Sequence, residues 1–149
     1  MNSPTYTAYL EGSLRLSATG EWWHEGVAFT HPELIAHFHR SIVWDAGTKR
    51  YLVRIGEGAA TFTCEDTAYF VATLLTEQTP WYITLLDGTI EPLDPAMFSL
   101  GTDNQIYCRV KGGHRARLTR GAHQNLLCFA IDAETLLIGD VPVKLRRCE

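Results

Sequence analysis

The densest group of side chains that could do chemistry lies between residues 105 and 120. Its cationic members are Arg109, Lys111, Arg115, Arg117 and Arg120. Guanidinium groups bind carboxylates and phosphates through paired hydrogen bonds, so this segment could recognise an anionic ligand. The alternative is a solvated basic face that pairs with nearby acidic side chains, which is the commoner role of such clusters.

The same segment has the pattern of a β-hairpin. Apolar and polar residues alternate along both predicted strands, 105–110 and 115–118. If Val110 lay opposite Arg115, apolar residues of one strand would share a face with charges of the other, so we predict an odd connection that places His114 opposite Val110. The arginines that then share one solvent face are Arg109, Arg115 and Arg117.

The remaining candidate residues do not indicate catalysis. His37 and His39 are two residues apart on a predicted helix, so they point to opposite sides and cannot chelate one ion; we predict polar-face histidines and no metal or cofactor. Trp22 and Trp23 are adjacent in a predicted strand, so only one of them faces the core, and we take Trp22 as a candidate ligand contact. The sequence has neither a Gly-x-Ser-x-Gly elbow nor a glycine-rich phosphate loop.

The cysteines indicate reduced thiols. Cys64, Cys108, Cys128 and Cys148 are widely spaced without a Cys-x-x-Cys pair, which argues against zinc and disulfides. We expect the first three to be buried in apolar strands and Cys148 to be a tail residue. The N-terminal residues have no secretory-signal pattern, so we expect a cytoplasmic protein.

Composition is that of a globular protein, with 149 residues of which 46% are hydrophobic and 20% charged. No apolar run is long enough to cross a bilayer, so we predict no membrane insertion. Residues 1–104 carry 5 basic and 13 acidic side chains, whereas residues 105–149 carry 8 basic and 4 acidic ones. This asymmetry favours either an anionic partner or an internal interface between the two parts, and we favour the internal interface slightly.

The elements that must position these residues begin with residues 20–34. Gly20 and Gly26 flank a short aromatic strand. Thr30 and Glu33 then predict a capping box, with Pro32 in the first helical turn. The apolar stripe of the helix is predicted to contain Leu34, Ile35, Phe38 and Ile42.

The rest of the chain reads mainly as strands. The predicted strands are 41–44, 51–55, 60–64 with Ile55 opposite Ala60, a central strand 69–75, 81–86, the basic hairpin and an apolar run 126–131. Asp94-Pro95 predicts a short helix over 96–100. Turns are predicted at Asp87-Gly88 and Gly139-Asp140.

The order of these elements repeats. Residues 1–78 and 79–149 each read as a strand, an acidic-Gly turn, a capped helix, a hairpin and an apolar strand. We therefore predict an α+β fold, mainly antiparallel sheet with two short helices, built from a duplicated strand-helix-hairpin motif.

Several stretches together resemble a bacterial family, domain of unknown function 1285 (DUF1285). They are the segment from Gly20 to Gly26, the helix with Leu34 and Phe38, the Tyr51-Leu52-Val53 strand and the segment from Cys64 to Phe70. The resemblance implies a duplicated α+β motif whose second half looks like a pleckstrin-homology barrel. It also implies a binding or signalling module and supplies no catalytic residues.

We therefore expect a cytoplasmic, non-enzymatic module that binds a protein or a small anionic ligand near the interface of the repeats. Nucleic-acid binding through the hairpin 105–120 is the alternative, and an enzyme whose site is not recognisable is a third. Steep salt dependence would identify a nucleic-acid binder, whereas turnover would identify an enzyme.

Overall fold

The computed structural model describes residues 3–147, in which the chain forms an α+β fold. Its contacts divide it between Ala68 and Tyr69 into two units. We predicted the boundary after residue 78, which would assign the strand Tyr69–Leu75 to the first unit. This strand pairs with strands of the second unit.

The first unit packs short strands with two helices. Its elements are α1 (Ser3–Leu10), β1 (Leu14–Leu16), β2 (Trp22–His24), β3 (Val27–Ala28), α2 (Pro32–Ser41), β4 (Ile42–Asp45), β5 (Arg50–Ile55), β6 (Gly58–Thr61) and β7 (Thr63–Cys64). One sheet has the order β3-β2-β1-β7, and β4-β5-β6 form an antiparallel meander. The pairing of β1 with β7 is parallel.

The second unit contains a seven-stranded sheet. Its elements are β8 (Tyr69–Leu75), β9 (Tyr82–Leu85), β10 (Ile90–Pro92), β11 (Phe98–Leu100), β12 (Ile106–Val110), β13 (His114–Leu118), α3 (Arg120–Leu127), β14 (Ala130–Asp132), β15 (Thr135–Ile138), β16 (Val141–Lys144) and β17 (Arg146–Arg147), with 3-10 turns at Pro95–Met97 and Thr102–Asn104. The strand order is β10-β9-β8-β13-β12-β11-β17, and β14-β15-β16 form a separate small sheet. Most pairs are antiparallel, as predicted, with β8–β13 and β11–β17 parallel.

The two units share part of their order of paired strands. In each, an antiparallel strand pair (β2–β3 or β9–β10) precedes a proline-led helix or turn. An antiparallel meander follows (β4-β5-β6 or β11-β12-β13). In the first unit, strand β7 follows the meander and pairs in parallel with β1. In the second unit, the last strand of the meander, β13, pairs in parallel with β8.

Each unit buries its own apolar core. Fully buried side chains of the first unit include Leu10, Leu14, Leu16, Trp22, Phe38 and Val53, and those of the second include Phe70, Ile83, Ile106, Leu118, Leu126 and Leu136. Burying a side chain of this size removes on the order of 2 kcal/mol of unfavourable hydration. The strands around these cores, and the turns between them, carry the candidate functional residues.

The predicted cap of α2 was wrong. His31, and not Thr30, is the N-cap, and its Nδ1 accepts a hydrogen bond of 3.3 Å from the Leu34 amide. Ile42 does not continue the apolar stripe because it begins β4. The side chains that α2 buries are Phe38, His39 and Ser41, so the prediction that His39 lies on the polar face was also wrong.

The number of helices was predicted too low, because the described residues contain three α-helices. Helix α1 was missed, since it has no continuous apolar stripe. Helix α3 covers part of the run that we predicted as a strand over 126–131. The Thr119 hydroxyl caps it by accepting from the Ala122 amide at 3.3 Å, and Ala122 and Leu126 are buried one turn apart.

The predicted helix over 96–100 is also wrong in part. Asp94 caps a 3-10 turn at Pro95–Met97, and strand β11 follows at once. Phe98 and Leu100 are buried while Ser99 between them is not. This is the period of a strand, and pairing with β12 satisfies its backbone.

The hairpin of β5 and β6 differs in register from the prediction. Ile55 pairs with Gly58 and Val53 with Ala60, so two residues connect the strands where the predicted alignment had four. Gly56 in the connection has φ 59°, which a tight two-residue turn requires. Because the shift is even, each side chain keeps its predicted face.

Candidate functional site

The basic hairpin is formed by β12, β13 and the connection between them. Val110 pairs with His114, as the alternation of apolar residues predicted. The three connecting residues, Lys111, Gly112 and Gly113, have φ of 52°, 83° and 138°. Positive φ is costly for most residues, so the two glycines allow this short connection.

Two arginines lie directly opposite each other on this hairpin. Arg109 pairs with Arg115, and Tyr107 pairs with Arg117. The register therefore places Arg109, Arg115 and Arg117 on one side of the hairpin, as predicted, but Arg115 and Arg117 are only partly exposed on that side. The alternate residues, Cys108, Val110, Ala116 and Leu118, are buried. The Arg115 guanidinium lies 3.7 Å over the Tyr107 ring, a cation–π contact that fixes its position.

Arg109 is the exposed member of this face. Its guanidinium donates a hydrogen bond of 2.9 Å to the Gly113 carbonyl oxygen, which ties the side chain to the hairpin turn. It also lines a groove of about 480 Å³ together with Asp94, Met97 and Gly112. The arginine is thus held at the edge of a concave surface.

Lys111 has acidic neighbours in the second unit. Its ammonium group lies 2.9 Å from an Asp87 carboxylate oxygen, and its backbone amide donates to both Glu91 carboxylate oxygens at 3.1 Å. Burial raises the pKa of Asp87, but hydrogen bonds from Thr89 and the contact with Lys111 lower it by more, so the pKa lies below its ordinary value. Lys111 therefore stabilises the hairpin turn, and it is a weaker candidate for ligand binding than Arg109.

Trp22 does not contact a ligand, contrary to our prediction. Its exposed fraction is 0%, and its ring packs against Phe38 and Phe62 with centroids 5.3 and 5.0 Å away. Trp23 on the opposite side of β2 is partly exposed, and Arg15 lies 5.3 Å from its ring. The sequence established that the two rings diverge, but only the packing of α2 decided which one is buried.

The described thiols are in different environments. Burial is the main cause that raises the pKa of Cys64 to about 11 and that of Cys108 to about 12. Nearby Glu91 and Asp94 add to the effect at Cys108. Both are therefore protonated at neutral pH, and a protonated thiol is a poor nucleophile. Contrary to the prediction that the first three cysteines are buried, Cys64 is only partly buried and Cys128 is exposed; Cys148 lies outside the described residues.

Among residues 3–147, no group of three or more His, Cys, Asp or Glu side chains is arranged to hold a metal ion. No helix within the same range is long and apolar enough to span a membrane.

A second concave site in this unit was missed by sequence analysis. A cleft of about 300 Å³ is lined mainly by apolar side chains from three separate segments, including Pro80, Trp81, Leu93, Pro95, Ile138 and Val141. The Trp81 ring packs on Phe129 with centroids 4.7 Å apart, and the peptide bond before Pro80 is cis. The segments are distant in sequence, so no local pattern indicates that they meet.

The fold defines an α+β protein with two strand-rich units. Solved structures share that fold. The crystal structure of a DUF1285 family protein from Silicibacter pomeroyi DSS-3 has a TM-score of 0.67 at 12% identity, covering 98% of this chain and 89% of that one. A DUF1285 family protein from Shewanella baltica OS155 has a TM-score of 0.58 at 18% identity, covering 77% and 90%.

This structural likeness confirms the resemblance to DUF1285 proteins at the level of the fold. No protein-family model and no curated protein matches the chain. The candidate residues must therefore be judged from their own geometry.

Proposed function

We propose that the chain is a non-enzymatic binding module that recognises a protein or a small anionic ligand through the arginine face of the β12–β13 hairpin. The observation that carries the proposal is the direct pairing of Arg109 with Arg115. Like charges at opposite positions weaken a strand pair. A carboxylate or phosphate bound between them would offset that repulsion and accept charge-assisted hydrogen bonds.

The groove beside Arg109 offers such a ligand an apolar contact, and the acidic residues Glu91 and Asp94 also line it. The arginine lines a groove in which Met97 is 44% exposed. Methionine adapts to different apolar partners, so a segment of a protein with an acidic side chain beside an apolar one would fit better than a free ion. The Arg109 guanidinium is already oriented by the Gly113 carbonyl, which lowers the entropy lost on binding.

The test compares Arg109→Gln and Arg109→Lys with Arg120→Gln, a change of an exposed arginine outside the paired positions. The probes are inorganic phosphate and a short acidic peptide containing Met or Leu. Binding of each probe is measured from the NMR shifts of the backbone amides. We expect Arg109→Gln to weaken peptide binding by roughly tenfold, since a charge-assisted hydrogen bond contributes about 1.5–3 kcal/mol. Arg109→Lys keeps the positive charge but loses the paired N–H donors of the guanidinium. Its affinity for the peptide should therefore lie between those of the unchanged protein and Arg109→Gln.

Equal binding by the Arg109→Gln variant and the unchanged protein would contradict the proposal. A titration in which neither probe shifts the amides of β12 and β13 would also contradict it. If Arg120→Gln weakened binding as much as Arg109→Gln, the effect would be one of net charge, and the paired arginines would have no special role.

Nucleic-acid binding through residues 105–120 is the second candidate. Its support is that Arg120 begins α3 directly after β13, so the basic residues extend beyond the hairpin. An oligonucleotide titration over a range of salt concentrations distinguishes it, because affinity would fall steeply with salt. An enzyme with an unrecognised site is the third candidate, and turnover in a substrate panel would favour it.

We also propose that the module arose by duplication and that it acts in signalling in the bacterial cytoplasm. The shared order of paired strands supports a duplicated unit, and the seven-stranded sheet of the second unit supports a pleckstrin-homology-like arrangement. The likeness to bacterial DUF1285 structures supports a bacterial protein, for which we propose a cytoplasmic location and a role in signalling.

A further inference from the structure

A pocket in the first unit contains an unusual proportion of aromatic side chains. It has a volume of about 330 Å³ and is lined by Tyr9, His24, Glu25, Val27, Ala28 and Phe29. It lies apart in sequence from the hairpin of the proposed function, and every lining residue belongs to the first unit.

His24 lies between the two other rings. Its ring centroid is 4.5 Å from that of Tyr9 and 6.4 Å from that of Phe29, with interplanar angles of 48° and 38°. Only 7% of His24 is exposed, whereas 62% of Tyr9 is exposed. The imidazole therefore forms the floor of the pocket, and the Tyr9 ring forms an open wall.

The His24 and Phe29 rings are held in place before any ligand binds. The His24 Nε2 atom lies 3.1 Å from the Tyr9 carbonyl oxygen, a hydrogen bond that joins the end of β2 to α1. The Phe29 ring packs edge-on against the buried Phe38 at 4.9 Å, and its amide donates to the Trp22 carbonyl at 2.9 Å. A prearranged pocket loses less conformational entropy on binding.

The acidic residue of the pocket, Glu25, indicates a ligand with a positive charge. Glu25 lies in the turn between β2 and β3, where it is exposed and lines the pocket with the rings. Aromatic faces carry partial negative charge and attract cations, most favourably cations with an apolar surface such as alkylated ammonium groups. A purely apolar ligand would gain nothing from the carboxylate.

We propose that this pocket binds a methylated ammonium group, with the rings of Tyr9, His24 and Phe29 around its methyl groups and the Glu25 carboxylate beside its charge. The group has two possible sources, a choline-like small molecule or a methylated lysine side chain of a protein. Both present the same cation to the pocket.

The experiment titrates the full chain with choline and with 3,3-dimethylbutan-1-ol, its neutral isostere, and follows the aromatic NMR resonances of His24 and Phe29. Choline should bind at least about tenfold more tightly than the alcohol, because only choline carries the charge. Equal binding of the two compounds would show an apolar pocket and overturn the proposal. Failure of choline to shift these resonances would overturn it as well.

Matched variants test the role of the rings. Tyr9→Leu should weaken choline binding by about fivefold and leave binding of the alcohol unchanged, whereas Tyr9→Phe should retain choline binding because the aromatic face remains. Glu25→Gln should weaken choline binding by a similar factor. Tyr9 is largely exposed, so neither change at this position threatens the core. Equal choline binding by Tyr9→Leu and Tyr9→Phe would overturn the proposal.

A pair of peptides distinguishes the sources of the cation. A peptide with trimethyl-lysine that binds more tightly than choline, while the unmodified lysine peptide does not bind, would identify a methylated protein segment as the ligand. Tighter binding of choline would identify a small molecule. Equal binding of the modified and unmodified peptides would overturn the proposal, because methylation would then contribute nothing.

Discussion

The indole Nε1 of Trp22 lies 3.4 Å from Nδ1 of His39, and both side chains are buried. The contact joins the middle of the first core to the last turn of α2. A buried N–H group without an acceptor costs free energy, so this histidine satisfies a polar atom that the core would otherwise leave unpaired.

Replacement of that acceptor is expected to destabilise the protein. His39→Phe fills the space but leaves the Trp22 N–H without its partner, so the free energy of unfolding should fall by about 1–3 kcal/mol. His37→Phe is the control, because His37 is exposed on the same helix, and we expect a change within about 0.5 kcal/mol. Urea unfolding followed by tryptophan fluorescence measures both. Equal stability of the two variants would refute the role of His39.

Gly101 sets the position of the ring beneath Arg115. A Cβ atom at this position would lie 2.6 Å from a Tyr107 ring carbon, whereas one at Gly121 would meet nothing within 4 Å. Gly101→Ala should therefore displace Tyr107 and cost about 1–3 kcal/mol. Gly121→Ala should be neutral or stabilise α3 by up to about 1 kcal/mol. Thermal unfolding of the pair measures the difference, and a neutral Gly101→Ala would show that the ring moves aside freely.

The contact of Lys111 with Asp87 should contribute stability that depends on pH. Lys111→Asn keeps a residue that tolerates positive φ and removes the ammonium group, so we expect a loss of roughly 1 kcal/mol at pH 7. Lys49→Asn is the control, since Lys49 is exposed and has φ 56°.

The direction of this pH dependence follows from the pKa of Asp87, which the fold lowers from its ordinary 3.8. The contribution is complete above about pH 4 and is lost as the pH falls through the folded-state pKa. Urea unfolding of both variants from pH 7 to pH 2.5 tests this. A difference between Lys111→Asn and the unchanged protein that stayed constant down to the lowest pH would contradict the assignment.

The thiols should differ in reactivity. With a pKa of about 11, Cys64 has roughly a hundredfold less thiolate at pH 8 than a thiol at the ordinary 9.0, and Cys108, with a pKa of about 12, has roughly a thousandfold less. Iodoacetamide should therefore label exposed Cys128 first in the folded protein, and all three equally after unfolding. Peptide mass spectrometry identifies each site. Labelling of Cys108 as fast as Cys128 in the folded state would contradict the burial that the pKa reflects.

Much of the strand structure could be predicted, because side-chain alternation is local information. The β12–β13 register followed from the parity of Val110 and His114, and a shift by one residue would have put arginines into the core. The same alternation predicted that the candidate arginines share one side of the hairpin. Helix α3 was missed because its apolar residues also fit a short strand, and only its packing on β8 and the Thr119 cap distinguish the two.

The sequence by itself determined the α+β class, the hairpins and the face on which Arg109 and Arg115 lie, since each depends on periodicity over a few residues. Only the tertiary structure decided that Trp22 is buried, that Lys111 is paired with Asp87, and that Tyr9 meets His24. These contacts join residues that are distant in the chain. Their partners are chosen by the packing of whole helices and strands, and no local pattern encodes that choice.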